Sequence, residues 1–461
     1  MDNKFHNDFV KEMYARYIAK RPKSEKLFRE AQQFLPGGDT RHITFFKPFS
    51  PFMERGEGFR LYDVDGYHYI DFMNNMNSLI HGHAHPKVVE AVIEQVKRGS
   101  IFGFPAESQY KLAEEICNRL PSAERVRFSN SGTEATLTAI RLARAIRKRY
   151  KVVKIEGGYH GTYDLAEISI NPPLEKTGRV ERPNSVPEDD SVPPNVLTDC
   201  VIIPFNNSEV AERVISEQHD SLAAVIVEPL LNSAGLILPE IGFLRTLREA
   251  CSKYKVLLIF DEVMSFRLSI GGAQEIFGVV PDLTALGKII GGGYPVGAVA
   301  GREEFMDHFS PLRPKYLSHS GTFNGNPVTM VAGLVTLQEL TFSEMNRINQ
   351  FGEKVRADLR KITEEVGLRC QVTGTGSVGQ IHFTNREIRD WRSASTARMD
   401  MRAILHILLL EKGILVGQRC FFNISTPMRE EEINEMTAAM KACLFEMKPY
   451  IEETAPELIS R

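Results

Sequence analysis

The 461-residue chain has no long apolar run, no paired-cysteine spacing and no excess of one charge. A spanning helix needs about 18 or more consecutive apolar residues, and no stretch approaches that. The opening MDNKFHNDFVKEM also lacks the apolar core of a secretory signal. Its six cysteines (Cys117, Cys200, Cys251, Cys370, Cys420, Cys443) are scattered without C-x-x-C spacing, which fits reduced thiols in a chain of this length. The formal charge is only −3, so no broad basic field recruits nucleic acid or an anionic membrane. Internal repeats and low-complexity tracts are missing too. These absences leave a cytoplasmic protein as the expectation, and 43% hydrophobic with 25% charged residues is the balance of a globular one.

Apolar spacing predicts helix over residues 8–35, interrupted at Pro22, with a second helix from Ser24 to Phe34 that stops at Pro36-Gly37-Gly38. FRLYDVDGYHYIDFM reads as a hairpin about Asp65-Gly66. From Pro86 to about Ile290, helical patterns alternate with VRFSN, KVVKIEG, DCVIIPF, LAAVIVEP and KVLLIFDE, apolar on both faces as in a parallel sheet covered by helices. The expectation is an α/β fold with a large domain over 86–340. A small α+β domain is built from both chain ends, residues 1–85 and 341–461. The proline-rich stretch 172–194 reads as a solvated surface loop, with an active-site lid as the alternative.

Three motifs fail on context. Gly374-Thr375-Gly376-Ser377-Val378-Gly379 matches a dinucleotide fingerprint, but leads into another strand-like run and so reads as a hairpin. Gly287-Lys288 lacks the remainder of a P-loop. His81, His83 and His85 alternate, but without a patterned fourth ligand the expectation is no metal.

Three segments carry chemistry together. Ser129-Asn130-Ser131-Gly132-Thr133-Glu134 opens a helix after a strand. It reads equally as a capping box and as a phosphate cradle, with helix-end N–H groups approached over Gly132 and the Ser131 and Thr133 hydroxyls as added donors. Asp261 ends a buried strand, and Lys288 stands beside three glycines. A phosphate site, a buried carboxylate and a positioned amine are the parts pyridoxal 5′-phosphate requires.

With SNSGTEA (129–135), GGYHG (157–161), VEP (227–229), IFDEV (259–263), LGKIIGGGYPVGA (286–298) and GTFNGNP (321–327) in family order, the chain resembles the class III pyridoxal-phosphate aminotransferases of fold type I. The branch is that of glutamate-1-semialdehyde aminomutase and the aromatic β-amino-acid aminotransferases. The resemblance implies that Lys288 links to the cofactor and carries the proton. It implies that Asp261 faces the pyridine nitrogen, that Ser131, Gly132 and Thr133 hold the phosphate, and that Tyr159 and Val263 cover the two ring faces. Glu228 is expected near the ring edge. Thr322 is expected to reach the neighbouring subunit's phosphate, which implies a homodimer with shared active sites.

For the substrate, the resemblance of the PGG-x-T-R segment and of the C-terminal arginine assigns Arg41 to the carboxylate of a β-amino acid and Arg419 to that of a 2-oxo acid acceptor. The run Phe45-Phe46-Lys47-Pro48-Phe49 reads either as a pocket wall or as core. Aminomutases of the branch carry an N-S-P-V-R type sequence where this chain has DTRHITFF, which favours transfer between molecules. The expected activity is therefore an aminotransferase. The alternatives are an aminomutase, epimerase or decarboxylase on the same cofactor, and more remotely a silent binding homologue.

Overall fold

The computed structural model describes residues 8–460. Residues 1–7, the start of the stretch read above for a secretory signal, lie outside the described residues. Two compact units divide the chain. One runs from Pro86 to Asn346 and regains Ile388–Ser395, and the other holds the chain up to His85, Arg347–Glu387 and the stretch from Thr396 onward.

The first unit is built on a seven-stranded sheet. In chain order its strands are β1 (Arg125–Ser129), β2 (Lys151–Ile155), β3 (Cys200–Ile203), β4 (Leu222–Val227), β5 (Leu257–Asp261), β6 (Leu283–Gly287) and β7 (Gly297–Gly301). Across the sheet they lie β1-β7-β6-β5-β4-β2-β3, and every pairing is parallel except the two made by β7. Neighbouring residues of one strand feed two different cores. Val153, Val225 and Leu258 enter one cluster, and Val152, Ala224 and Ile259 the other. Strands apolar on both faces form where helices cover both sides, and each fully buried Val, Leu or Ile contributes roughly 1.5–3 kcal/mol.

In the second unit the antiparallel strands Met53–Glu57, Arg60–Asp63 and His68–Asp71 are joined in parallel by Ile414–Leu415, so both chain ends share one sheet. The Asp65-Gly66 turn forms as expected, with Gly66 at φ +93°. Asp65 does more than turn the chain. Its carboxylate accepts the Lys23 and Ser24 amides at 2.7 and 2.9 Å, capping the helix Pro22–Ala31. Pro22 therefore starts that helix, two residues ahead of the expected Ser24, because the first helical position needs no N–H. Gly374–Ser377 joins the antiparallel strands Gln371–Thr373 and Val378–His382, which is the hairpin the sequence implied.

Of the aromatic run only Phe49 is core; Phe46 is half-buried and Phe45 is exposed. Phe46 and Phe49 lie against Tyr17, Phe49 and Phe45 stack on Phe28, and Phe46 also meets His406 edge-on. His83 bonds Asp71, while His81 bonds Thr426 and packs its ring against that of His85, centroids 5.0 Å apart. Among the described residues no cluster of His, Cys, Asp or Glu is placed to hold a metal ion, and no helix is long and apolar enough to cross a membrane. The stretch 172–194 is only partly a solvated loop. It contains a short ribbon, Gly178–Arg179 with Arg182–Pro183, and buries Thr177, Val186 and Val192.

Candidate active site

Parallel strands place their carboxyl ends along one edge of a sheet, where α/β folds bind ligands. At that edge of the first unit stand Ser131 after β1, Tyr159 and His160 after β2, Glu228 after β4, Asp261 closing β5, and Lys288 after β6.

The cradle is the N-terminus of helix α1 (Gly132–Arg147). Ser131 is its N-cap, with Oγ accepting the Glu134 amide at 3.1 Å, while the Ala135 amide reaches the Ser131 carbonyl. The capping reading is thus realised, yet it leaves the Gly132 and Thr133 amides without an acceptor among the described residues. First-turn N–H groups in that state suit an anion. Glycines bring the neighbouring chain close: a Cβ on Gly161 would fall 2.6 Å from Thr133 Oγ1, and one on Gly297 1.9 Å from the Ser131 carbonyl oxygen. Val263 fills the space beside the cradle, with methyls 3.1 Å from a Cβ on Gly132 and 3.2 Å from one on Gly287.

Asp261 is held from two sides, by the Val263 amide at 3.1 Å and His160 Nδ1 at 2.8 Å. The other nitrogen of His160 is buried without a partner. Glu228 accepts the Tyr159 amide at 3.0 Å, the Asn232 amide at 3.1 Å and the Ser233 hydroxyl. Burial raises its carboxyl above the ordinary value, and Asp261 adds to that. Lys288 sits at φ +50°, an uncommon conformation for a side-chain-bearing residue that is found at functional sites. Burial lowers its ammonium below the ordinary value, opposed by the charges of Asp261 and Glu228.

Among the glycines after Lys288, Gly292 serves packing. A Cβ on Gly292 would lie 2.4 Å from the Ala332 carbonyl oxygen, so the turn must be bare for helix Pro327–Glu339 to approach.

The loop behind Tyr159 is fastened residue by residue. Lys154, fully buried, donates from Nζ to the Gly158 and Ile168 carbonyls at 2.5 Å each, and burial lowers its ammonium to about 8. Ser233 Oγ donates to the Gly157 carbonyl, and Arg392 makes a two-pronged ion pair with buried Glu156 at 2.8 and 3.0 Å. His160, Lys154 and Arg392 had no role in the sequence reading. GGYHG contains His160, but nothing local says which strand end its ring faces.

Arg41 and Arg419 belong to the second unit. Arg41 is exposed and donates to Asn75 Oδ1 at 2.8 Å, and among the described residues no carboxylate lies within 4.0 Å of its guanidinium. Asn75 stands in a left-handed run from Asn74 to Asn77, with φ between +44° and +72°, anchored by Asp71 accepting the Met73 and Asn74 amides. Arg419 is half-buried in the turn that Cys420 closes onto Gly417. Thr322 is exposed and makes no hydrogen bond to the cradle of its own chain.

An anion cradle, a carboxylate with open lone pairs, a partnerless imidazole nitrogen and a lysine with lowered proton affinity fit pyridoxal 5′-phosphate. Fold and site together define a fold type I pyridoxal-phosphate enzyme. The class-III aminotransferase family model matches residues 46–444, and the chain belongs to that family.

Relatives of two kinds share it. The glutamate-1-semialdehyde 2,1-aminomutase of Methanocaldococcus jannaschii is 39% identical over 93% of this chain and 99% of its own. An omega-transaminase from Sphaerobacter thermophilus is 42% identical over 93% of this chain and 99% of its own, with TM-score 0.90. The β-phenylalanine aminotransferase of Variovorax paradoxus is 33% identical over 98% and 99%, with TM-score 0.87.

Proposed function

We propose that this aminotransferase moves an amino group from a β-amino acid, or a similar carboxylated amine, to a 2-oxo acid. The observation that carries the reading is Arg41. Its guanidinium is steadied by Asn75 and feels the charge of Asp39, but among the described residues no carboxylate lies within 4.0 Å of it, which leaves donors of the fork for a substrate carboxylate. The other reading of such an arginine, a structural ion pair, would fall to Asp39, whose carboxylate makes no contact within 4.0 Å of the guanidinium. Arg419 is assigned to the acceptor's carboxylate.

When bound, pyridoxal 5′-phosphate supplies an aldehyde to take up the amine and a ring to accept the electron pair released at the substrate carbon. The chain's own groups do the rest. The amides of Gly132 and Thr133, with the hydroxyls of Ser131 and Thr133, hold the phosphate, and Tyr159 and Val263 pin the ring between them. Asp261, steadied by His160, keeps a proton on the pyridine nitrogen. Lys288 provides the covalent anchor. Once free it takes and returns the substrate proton, a task helped by burial that favours its neutral amine.

Thr322 is assigned to the phosphate of a second copy, giving a homodimer with shared sites. Support comes from an exposed apolar face: Val89, Ile93 and Val96 on the helix Pro86–Arg98, followed by Phe102 and Phe104, the last 85% exposed. Contiguous exposed apolar groups of this kind mark interaction surfaces.

A second reading, intramolecular amino transfer, draws on the 39% identity to the M. jannaschii aminomutase. One experiment separates the two. With β-phenylalanine alone the bound cofactor's visible absorbance should be lost, and 2-oxoglutarate or pyruvate should restore it. Conversion of glutamate-1-semialdehyde to its isomer with no oxo acid added would refute intermolecular transfer as the function.

A further inference from the structure

The chain's single tryptophan, Trp391, lies in the segment Ile388–Ser395 that rejoins the first unit. There Asp390 and Ser393 form a capping box that sets Trp391 and Arg392 side by side at the start of a single helical turn. Both side chains reach the stretch between β2 and Tyr159. Gly157, at φ +84°, runs so close to the indole that a Cβ would lie 2.7 Å from Trp391 Cβ and 3.0 Å from its Cγ. Glu156 is 1% exposed, and the Arg392 guanidinium is the cation paired with it.

The same two side chains hold a second segment. Trp391 Nε1 donates to the Pro172 carbonyl at 3.2 Å, and Arg392 to the carbonyls of Thr177 and Gly178 at 3.3 and 2.9 Å. Only Gly157 and Gly158 separate the buried ion pair from Tyr159, whose neighbour His160 grips Asp261. A shift of Glu156 therefore passes directly to the residues that meet the cofactor ring.

We propose that Trp391 and Arg392 are positioning residues for the cofactor ring, fixing Glu156 and Gly157 so that Tyr159 and His160 are presented at the correct height and tilt. The proposal rests on the roles given above to Tyr159 at the ring face and to His160 at Asp261. Without the guanidinium, Glu156 must take up a proton or swing toward water, and either frees Gly157 from the indole face. The lone tryptophan makes that release visible.

Arg392→Met and Arg392→Lys are purified and saturated with pyridoxal 5′-phosphate, then compared with wild type by tryptophan emission, visible circular dichroism of the cofactor, and steady-state kinetics. Arg392→Met should shift the Trp391 emission to the red and weaken the visible dichroic band. It should also lower kcat about ten- to a hundred-fold while the donor KM changes less than about twofold. Arg392→Lys keeps the charge but not the fork, and should fall between the two. It also carries the test if the methionine variant does not fold.

Shifted emission or a lowered melting temperature with an unchanged dichroic band and kcat would reduce the pair to a structural role and overturn the proposal. Unshifted emission would do so as well. Tyr159→Phe and His160→Asn are run alongside. If they leave the dichroic band unchanged, the ring assignment fails, and if they alter it while Arg392→Met does not, only the positioning role fails.

Discussion

Gly297 offers a test of the phosphate cradle in which one methyl group is the whole perturbation. It lies in β7 opposite Ser129, in extended backbone that alanine accepts, so conformational strain does not enter. An added Cβ would stand 1.9 Å from the Ser131 carbonyl oxygen and 2.6 Å from Ser129 Oγ. Carbon meets a carbonyl oxygen comfortably at about 3.3 Å, so the N-cap residue must retreat by roughly 1.4 Å. Overpacking of this kind costs about 1–3 kcal/mol, and here it falls on the residue that orients the Gly132 and Thr133 amides. If that cost is expressed as lost cofactor binding, the affinity falls about 5- to 150-fold. The assay titrates apo Gly297→Ala and apo wild type with pyridoxal 5′-phosphate by visible absorbance. A cofactor Kd for Gly297→Ala within about twofold of wild type would show that Ser131–Thr133 does not hold the phosphate, since a displacement over 1 Å cannot leave a charge-assisted site intact.

Lys288→Ala should bind the cofactor without its covalent visible band and lose amino transfer, checked by absorbance after gel filtration; a retained band would reassign the anchoring lysine. Arg41→Ala should raise the donor KM far more than Arg419→Ala, and equal effects would remove the β-amino-acid argument. Lys154 titrates near 8 when folded, below the roughly 10.4 of an exposed lysine, so between these values the unfolded chain holds more protons. Its contribution to stability is therefore complete above about 10.4 and is lost as pH falls through about 8, by up to ~3 kcal/mol. The unfolding free energy of wild type minus that of Lys154→Met should climb with pH across that window, and a flat difference in urea titrations would refute the burial argument.

Features written locally in the chain were legible. Strands buried on both faces announced the parallel sheet, and a buried strand ending in Asp261 placed a carboxylate at its ligand-binding edge. Ser131 and Glu134 named the cap, and the same helix end leaves the Gly132 and Thr133 amides free for the proposed phosphate. What stayed hidden depends on which strand ends become neighbours. His160 meets Asp261 across 101 residues and Arg392 meets Glu156 across 236, so no periodicity carries either pair. The demand on Gly292 was hidden for a related reason, since the backbone it makes room for belongs to the helix Pro327–Glu339. Within Phe45 to Phe49, only Phe49 could be placed in the core, once Tyr17 and Phe28 were seen against it.

The Glu156–Arg392 pair also bears on how the protein is made. At about 5–20 residues per second, a ribosome needs roughly 10–50 s to synthesise the 236 residues between the two partners. Throughout that interval the nascent sheet can assemble strand by strand, but the Glu156 carboxylate lacks its guanidinium and the turn into Tyr159 lacks its indole support. The loop into Tyr159 thus gains these contacts late, after some 390 residues have been synthesised, and a chain truncated before Arg392 would carry Ser131, Asp261 and Lys288 while lacking the Glu156–Arg392 pair.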